Sequence, residues 1–346
     1  MPSGPAIQKL QAGGNSVAPL SPGLFPAGLV ASLEYRDADA LTTAVSKWNH
    51  HAVQLGSGPF HGRLSQAHTS WLQLYRAAWS PGMLVQGHAT PGSMVFAVQR
   101  GGAQRAVWRG EELAASQVIM LDGGHEIDFH TQLDCDMLVV SIDTSVLGEH
   151  IEALRGRPLA PAGTDARLVL ASGTAKHELV HRWMTLLTGA LRLGRDLTDR
   201  RIAAQLEATV LEALLTSALT SGRDAPLVER RRAALRARQY MVLNMDEPLT
   251  IQDICLASRT TQRTLHLGFR DAFGTSPKRF LKALRLNAIH RDLQRAKPNE
   301  TVTDLACRRG FFHFSNFAAD YRRLFGELPS ETLRRSGTAG QLAAAS

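Results

Sequence analysis

The sequence predicts an α+β protein. Its N-terminal half is antiparallel and barrel-like, a helical connector follows, and the C-terminal block is all-α. Three observations predict this. Between residues 31 and 143, short apolar or alternating runs recur between Gly- and Pro-rich turns. After residue 173 the apolar residues take helical spacing over two long stretches. From residue 226 the pattern is helical throughout and contains an internal repeat.

Residues 1–30 begin MPSGPAIQKLQAGGNSVAPLSPG, rich in Gly, Pro and Ser. They lack the charged start and compact apolar run of a signal peptide, so a disordered tail is expected. The β-rich domain is expected over 31–173. Its strand-like runs include 70–79 (SWLQLYRAAW), 93–99 (SMVFAVQ), 116–121 (SQVIML) and 136–142 (DMLVVSI). Segment 144–156 reads as a helix capped by Thr144 or Ser145. The connector, 174–225, reads as two helices over 174–194 and 198–221. In the second, Ile202, Leu206, Val210, Leu214 and Leu215 form one stripe, widened by Leu211 and Leu219. That stripe needs a partner, either the barrel or a second subunit.

Charge is distributed unevenly. Residues 226–346 hold 21 Lys and Arg against 11 Asp and Glu, while the rest of the chain is close to balanced. A basic block of this kind suits a polyanion, although a solvated helical surface would look the same. Three scattered cysteines (Cys135, Cys255, Cys307) argue against a disulfide framework and fit a reducing cytoplasm. Cys255 and Cys307 fall on apolar helical positions and read as small buried residues. No run of about 18 apolar residues is present, so no membrane span is expected.

The repeat aligns 249–277 with 300–329. Thr250, Ile251, Asp253 and Ile254 match Thr301, Val302, Asp304 and Leu305 at an offset of 51. Leu265, Phe269, Phe273, Gly274 and Pro277 match Phe317, Tyr321, Phe325, Gly326 and Pro329 at an offset of 52. One residue has therefore been added in the second turn. Each copy reads as a short helix, a tight turn and a second helix, giving helix-turn-helix units at 250–273 and 301–325 within a domain spanning 226–336. Residues 337–346 are expected to be a disordered tail. Between the copies, Ser276 and Pro277 start a helix running to about Gln294. At 1.5 Å per residue this strut spans roughly 28 Å, near the 34 Å of one DNA turn. A helix fits the major groove of B-DNA and offers its outward N-terminal side chains to base edges.

These residues resemble the DNA-binding domain of the AraC/XylS family of bacterial transcriptional regulators. The likeness is carried by GTSP (274–277), RLN (285–287), DLACRRGF (304–311) and FAADYRRLFGELPSETL (317–333). The stretch 310–330 is most similar to ethanolamine-utilisation regulators. WNHHAVQLGSGPFHGRL (48–64) is similar to the family's effector-binding or dimerisation domains. The resemblance implies a cupin-like barrel that senses a small molecule and a C-terminal domain that reads DNA. Two positions depart from the family pattern. Arg259 stands in the first turn where Gly is common, and Ala319 stands on the second reading helix where Arg is common.

The candidate base readers are Gln262, Arg263, His266 and Leu267 in the first unit, and His313, Phe314, Ser315, Asn316 and Ala319 in the second. Arg270, Lys278, Arg279, Arg322 and Arg323 are candidates for phosphates. One of Phe311 and Phe312 is expected to be buried. Trp71, Tyr75 and Trp79 recur at a spacing of four, which in a strand puts them on one face. They are candidates to line an effector pocket, with core packing as the alternative.

Of the thirteen histidines, those of the β-rich domain (His50, His51, His61, His68, His88, His125 and His130) show neither HxH nor HExxH, so no metal or cofactor site is expected. No paired carboxylates and no nucleophile elbow stand out, and an enzyme is not expected. The expected partners are double-stranded DNA, a small-molecule effector and a second copy of the chain in a homodimer, with RNA polymerase a further candidate. A regulator that binds DNA constitutively and uses its N-terminal domain only to dimerise is the alternative.

Overall fold

The computed structural model describes residues 23–100, 106–114, 117–155, 166–170, 173–216, 219–222, 229–297, 299–312 and 314–344. Two antiparallel sheets form the N-terminal half, and among the described residues they do not close into the expected barrel. The large sheet contains β1 (Val30–Tyr35), β3 (His61–His68), β4 (Leu72–Ser80), β6 (Ser93–Gln99), β9 (Gln117–Asp122), β11 (Cys135–Asp143), β12 (Ala166–Leu170) and β13 (Leu219–Gly222). Its order is β1-β3-β4-β11-β6-β9-β12-β13. The small sheet contains β2 (Asn49–Gln54), β5 (Met83–His88), β7 (Ala106–Trp108), β8 (Glu111–Glu112) and β10 (Glu126–Thr131), in the order β2-β5-β10-β7-β8.

The reason for layers rather than a barrel lies in strands such as β11. Its sequence CDMLVVSID is apolar on both faces. Cys135, Met137 and Val139 meet the small sheet, while Leu138, Val140 and Ile142 face the opposite way. A sheet buried on both sides needs two covers. The small sheet is one. The other consists of α2 (Thr144–Arg155), α3 (Gly173–Leu193) and α4 (Arg200–Thr216), which bring Leu147, Trp183, Leu206, Val210 and Leu214 against it. The apolar stripe of α4 is therefore spent on the sheet, which decides between the two partners left open by the sequence. The helix expected over 198–221 stops at Thr216. Leu219 lies instead in β13, pairing with Leu170 of β12. A short apolar run fits either period, and ladder hydrogen bonds with a neighbouring strand decide it.

Other differences are local. A short helix, α1 (Ala38–Thr43), interrupts the strands and is capped by the Asp37 carboxylate, which accepts from the Ala40 N–H at 2.8 Å. Of the tail expected at 1–30, residues 1–22 lie outside the described residues. From Gly23 the chain is packed: Phe25 is buried and its N–H donates to Ser70 O. At the other end, α11 (Pro329–Ala344) carries helix through most of the stretch expected to be disordered. The alanines near its end favour that state. Cys307 is exposed, not buried, because Leu305 and Ala306 take the inward positions of their short helix.

The C-terminal block is helical: α5 (Glu229–Leu243), α6 (Ile251–Ala257), α7 (Gln262–Phe273), α8 (Pro277–Gln294), α9 (Val302–Arg308), α10 (Phe314–Phe325) and α11. Two cores divide it. One gathers Ile254, Leu265, Phe269, Phe273 and Phe280, and includes Val53 and Leu84 of the small sheet. The other gathers Leu286, Ile289, Leu305, Phe317 and Tyr321. The strut α8 contributes to both. The layers thus run from helices to large sheet, small sheet and helical block.

Candidate nucleic-acid interface

The two helix pairs are built by the same local rules. Thr250 and Thr301 cap α6 and α9 in reciprocal boxes. The N–H of Asp253 donates to Thr250 Oγ1 at 3.2 Å, and Asp304 does the same to Thr301. Each threonine N–H donates back to the aspartate, at 2.8 and 3.2 Å. These hydrogen bonds hold both carboxyls below the usual aspartate range. Each first helix ends alike. The Thr260 and Phe311 N–H groups reach back to Cys255 O and Ala306 O, both at 3.0 Å. Such an ending needs one left-handed residue. Gly310 supplies it at φ 78°, and Arg259 adopts it at φ 51°. The departure from the family pattern in the first turn thus leaves the geometry intact and puts a side chain where glycine is favoured.

Thr261 caps α7, and Gly274 ends it at φ 63°. Gly268 allows α7 to approach α5 closely: a Cβ there would lie 2.1 Å from Arg230 O. Leu265, Phe269, Ala272 and Phe273 are buried. Gln262, Arg263, His266, Leu267 and Arg270 are exposed, together with Lys278 and Arg279 at the start of α8. On α10, Phe317 and Tyr321 are buried, while Phe314, Ser315, Asn316, Ala319, Arg322 and Arg323 are exposed. Phe311 packs on Phe317, whereas Phe312 is exposed. His313 lies outside the described residues.

Ion pairing separates the cations. Among the described residues, Arg230, Arg236, Lys282, Arg308, Arg309 and Arg335 have carboxylate partners. Arg323 also has one, Asp320 at 3.1 Å. No such pair is recorded among those residues for Arg263, Arg270, Lys278, Arg279 or Arg322, all of which are exposed. An unpaired surface cation keeps its charge available to a polyanion.

The N-terminal half holds the opposite, C-terminal ends of these helices. His130 Nδ1 of β10 lies 3.2 Å from Ala272 O of α7. Gln54 Nε2 of β2 donates to Leu324 O of α10, and the Gly58 N–H donates to Arg323 O at 3.1 Å. Ala272 and Leu324 are equivalent positions in the repeat. Between them, Asn287 of α8 mimics a neighbouring strand. Its Oδ1 accepts from the Gln54 N–H at 2.9 Å, and its Nδ2 donates to Gln54 O at 3.0 Å. Asp128 of β10 and Arg238 of α5 form a buried ion pair. Asp37 accepts from Gln294 Nε2 at 2.8 Å and contacts His290 Nε2 at 2.9 Å. Burial opposes its ionisation, but these bonds and that of the Ala40 N–H outweigh it, holding the carboxyl at about 2. Sequence reasoning missed this set. Its partners are more than 200 residues apart in most cases, and the polar Asn287 on the buried side of α8 was the available signal.

Between the sheets lies a cavity of about 90 Å³. Tyr75 and Trp79 line it, as expected from β4. Trp71 does not. It precedes β4 and packs with the core on the other side of the large sheet, 6.0 Å from the His150 ring. The spacing of four holds only within a strand, and the strand begins one residue later, at Leu72.

Residues 38–220 match the family described as AraC-binding-like domain, and residues 254–335 match the family described as helix-turn-helix domain. The probable thc operon regulatory protein of Rhodococcus erythropolis is 39% identical over 99 residues, covering 28% of this chain and 30% of that protein. XylDLEGF operon transcriptional activator 3 of Pseudomonas putida is 35% identical over 101 residues, 29% of this chain and 30% of that protein. The chain thus spans about 30% of the length of these curated relatives. Among solved structures, a probable AraC family transcriptional regulator from Rhodopseudomonas palustris is 36% identical over 30% of this chain and 96% of that chain, with a TM-score of 0.29. The AraC-like transcriptional activator CuxR is 14% identical over 80% of this chain and 100% of that chain, with a TM-score of 0.37.

Proposed function

The chain belongs to the AraC family of transcriptional regulators, and from that premise we propose that it binds specific DNA sites through two helix-turn-helix units under the control of a small molecule. The observation that carries this reading is the pair of equivalent, exposed helix starts on α7 and α10, with Arg263, Arg270, Lys278, Arg279 and Arg322, unpaired among the described residues, around them. Arg263, His266 and Gln262 would read bases in one major-groove segment. Phe314, Ser315, Asn316 and Ala319 would meet the next, where Phe314 and Ala319 suit thymine methyls better than hydrogen-bonding edges. Arg270, Lys278, Arg279 and Arg322 would hold phosphates.

A second observation favours effector control over a constitutive regulator whose N-terminal half only dimerises. The small sheet has two roles at once. Met83, Val85, Ile127 and Phe129 of β5 and β10 line the cavity on its inner face. On the outer side of the same strands, Leu84, Asp128 and His130 hold α5 and α7. A molecule that fits the cavity better in one position of this sheet would bias how the reading helices are held.

Genome-wide mapping of bound sites tests the DNA reading. Sites should carry two short elements about 10 base pairs apart, centre to centre. Arg263→Ala should erase preference in one element only. Sites with a single element, or preference untouched by Arg263→Ala, would overturn the two-unit reading. DNA affinity that no cavity-binding molecule changes would favour the constitutive alternative.

A further inference from the structure

We propose that the cavity between the sheets takes a small, uncharged molecule the size of one aromatic ring, held by apolar contact and one hydrogen bond to His50 Nδ1. The inference rests on the cavity being the effector site. The aromatic walls are Trp48, Tyr75, Trp79, Trp108 and Phe129, and among the described residues no Asp, Glu, Lys or Arg lines it. A carboxylate or ammonium entering there would lose its hydration without an opposite charge to replace it. An ethanolamine-like ammonium is disfavoured on the same ground, whatever the likeness of residues 310–330 implies for DNA reading.

The polar atoms of the wall are mostly committed. The Thr42 hydroxyl donates to Ala38 O and Asp39 O. Trp48 Nε1 donates to Gln73 Oε1 at 2.8 Å, and Trp79 Nε1 to Thr131 Oγ1 at 3.1 Å. His50 Nδ1 is different: it is buried and has no hydrogen-bond partner. His50 lies on β2, its ring edge-on to Trp48 at 5.3 Å. Burial pushes it down to about 4, so the imidazole is neutral near pH 7 and adds no charge to the wall. A buried polar atom left without a partner is costly, and a ligand hydroxyl or carbonyl would satisfy it.

Size points the same way. A dry protein cavity of about 150 Å³ holds one benzene. At about 90 Å³ this cavity is somewhat smaller, so a single ring would part the sheets slightly and a sugar or fused rings would not enter. Because the small sheet carries the reading helices on its outer side, that parting supplies the difference between bound and free states.

The test titrates full-length protein at pH 7.5 with phenol, toluene and benzoate, read by tryptophan fluorescence and thermal shift, in wild type, His50→Phe and Ala97→Phe. Phenol should saturate, and benzoate should bind at least about tenfold more weakly. His50→Phe should remove the advantage of phenol over toluene while toluene still binds. Ala97→Phe, which fills the cavity from β6, should abolish both. Benzoate binding as tightly as phenol, binding that survives Ala97→Phe, or no saturable binding of phenol or toluene would each overturn the proposal. The effector reading fails separately: phenol would then bind in the cavity as described and leave DNA affinity unmoved.

Discussion

Replacing Arg259 by glycine should stabilise the helical block, and the reason lies in one backbone angle. Arg259 sits at φ 51°, where its Cβ crowds the carbonyl; this costs an L residue about 1–2 kcal/mol. Its N–H still donates to Leu256 O at 3.1 Å, a bond glycine keeps. Glycine gives back part of the gain through its freer unfolded chain, roughly 0.5–1 kcal/mol. The net expectation is a stabilisation of about 0.5–1 kcal/mol. The repeat supplies the reciprocal experiment. Gly310 occupies the same place at φ 78°, and a Cβ there would meet nothing closer than Arg285 Nη1 at 3.9 Å. Gly310→Ala should therefore cost about 1 kcal/mol through conformation and not through a clash. Urea unfolding followed by far-UV circular dichroism reads both variants, since the tryptophans all lie before residue 184. The midpoints should move in opposite directions with unchanged slopes. A lower midpoint for Arg259→Gly, or no loss for Gly310→Ala, would refute the argument from the left-handed turn.

Other predictions follow from the same geometry. Arg263→Ala should leave folding intact and weaken specific DNA binding by about 1–3 kcal/mol, with little effect on non-specific binding; equal losses in a shift assay would remove it from base readout. Lys278→Ala should weaken binding to all sequences alike and lower the salt slope by about 1, measured by titration at several salt concentrations. Asn287→Ala should strip both Gln54 backbone groups of their partner, destabilising the contact between the two halves by about 1–3 kcal/mol; hydrogen exchange at the Gln54 amide should rise, and unchanged protection would count against the clamp. Burial pushes His50, His68 and His130 each down to about 4 in the fold. The unfolded chain, with histidines near 6.5, takes up protons first. Stability should therefore be full above about pH 6.5 and fall as the pH drops towards 4, so a urea midpoint that is flat or rising over that window would contradict the burial of these rings.

The helical block was largely legible before any tertiary contact was known. Its boxes and turns are bonds between residues three to five apart, so Thr250 with Asp253 and Thr301 with Asp304 are written in local sequence. The outward set on α7 follows from the 100° step once the helix start is known. The effector candidates were less legible. Tyr75 and Trp79 share the cavity wall, but Trp71 fell on the wrong side because a one-residue shift in where β4 begins cannot be read from its composition.

The order of residues, through short-range hydrogen bonding and helical periodicity, was by itself enough to determine two matching helix pairs, the rod between them and the side chains they turn outward. Only the tertiary structure decided that the strands stack as two sheets with a cavity between, and that Gln54 and His130 grip equivalent carbonyls of α10 and α7. The physical reason is separation. Those contacts join groups as far as 270 residues apart along the chain, and they form only where the two halves pack together and exclude water.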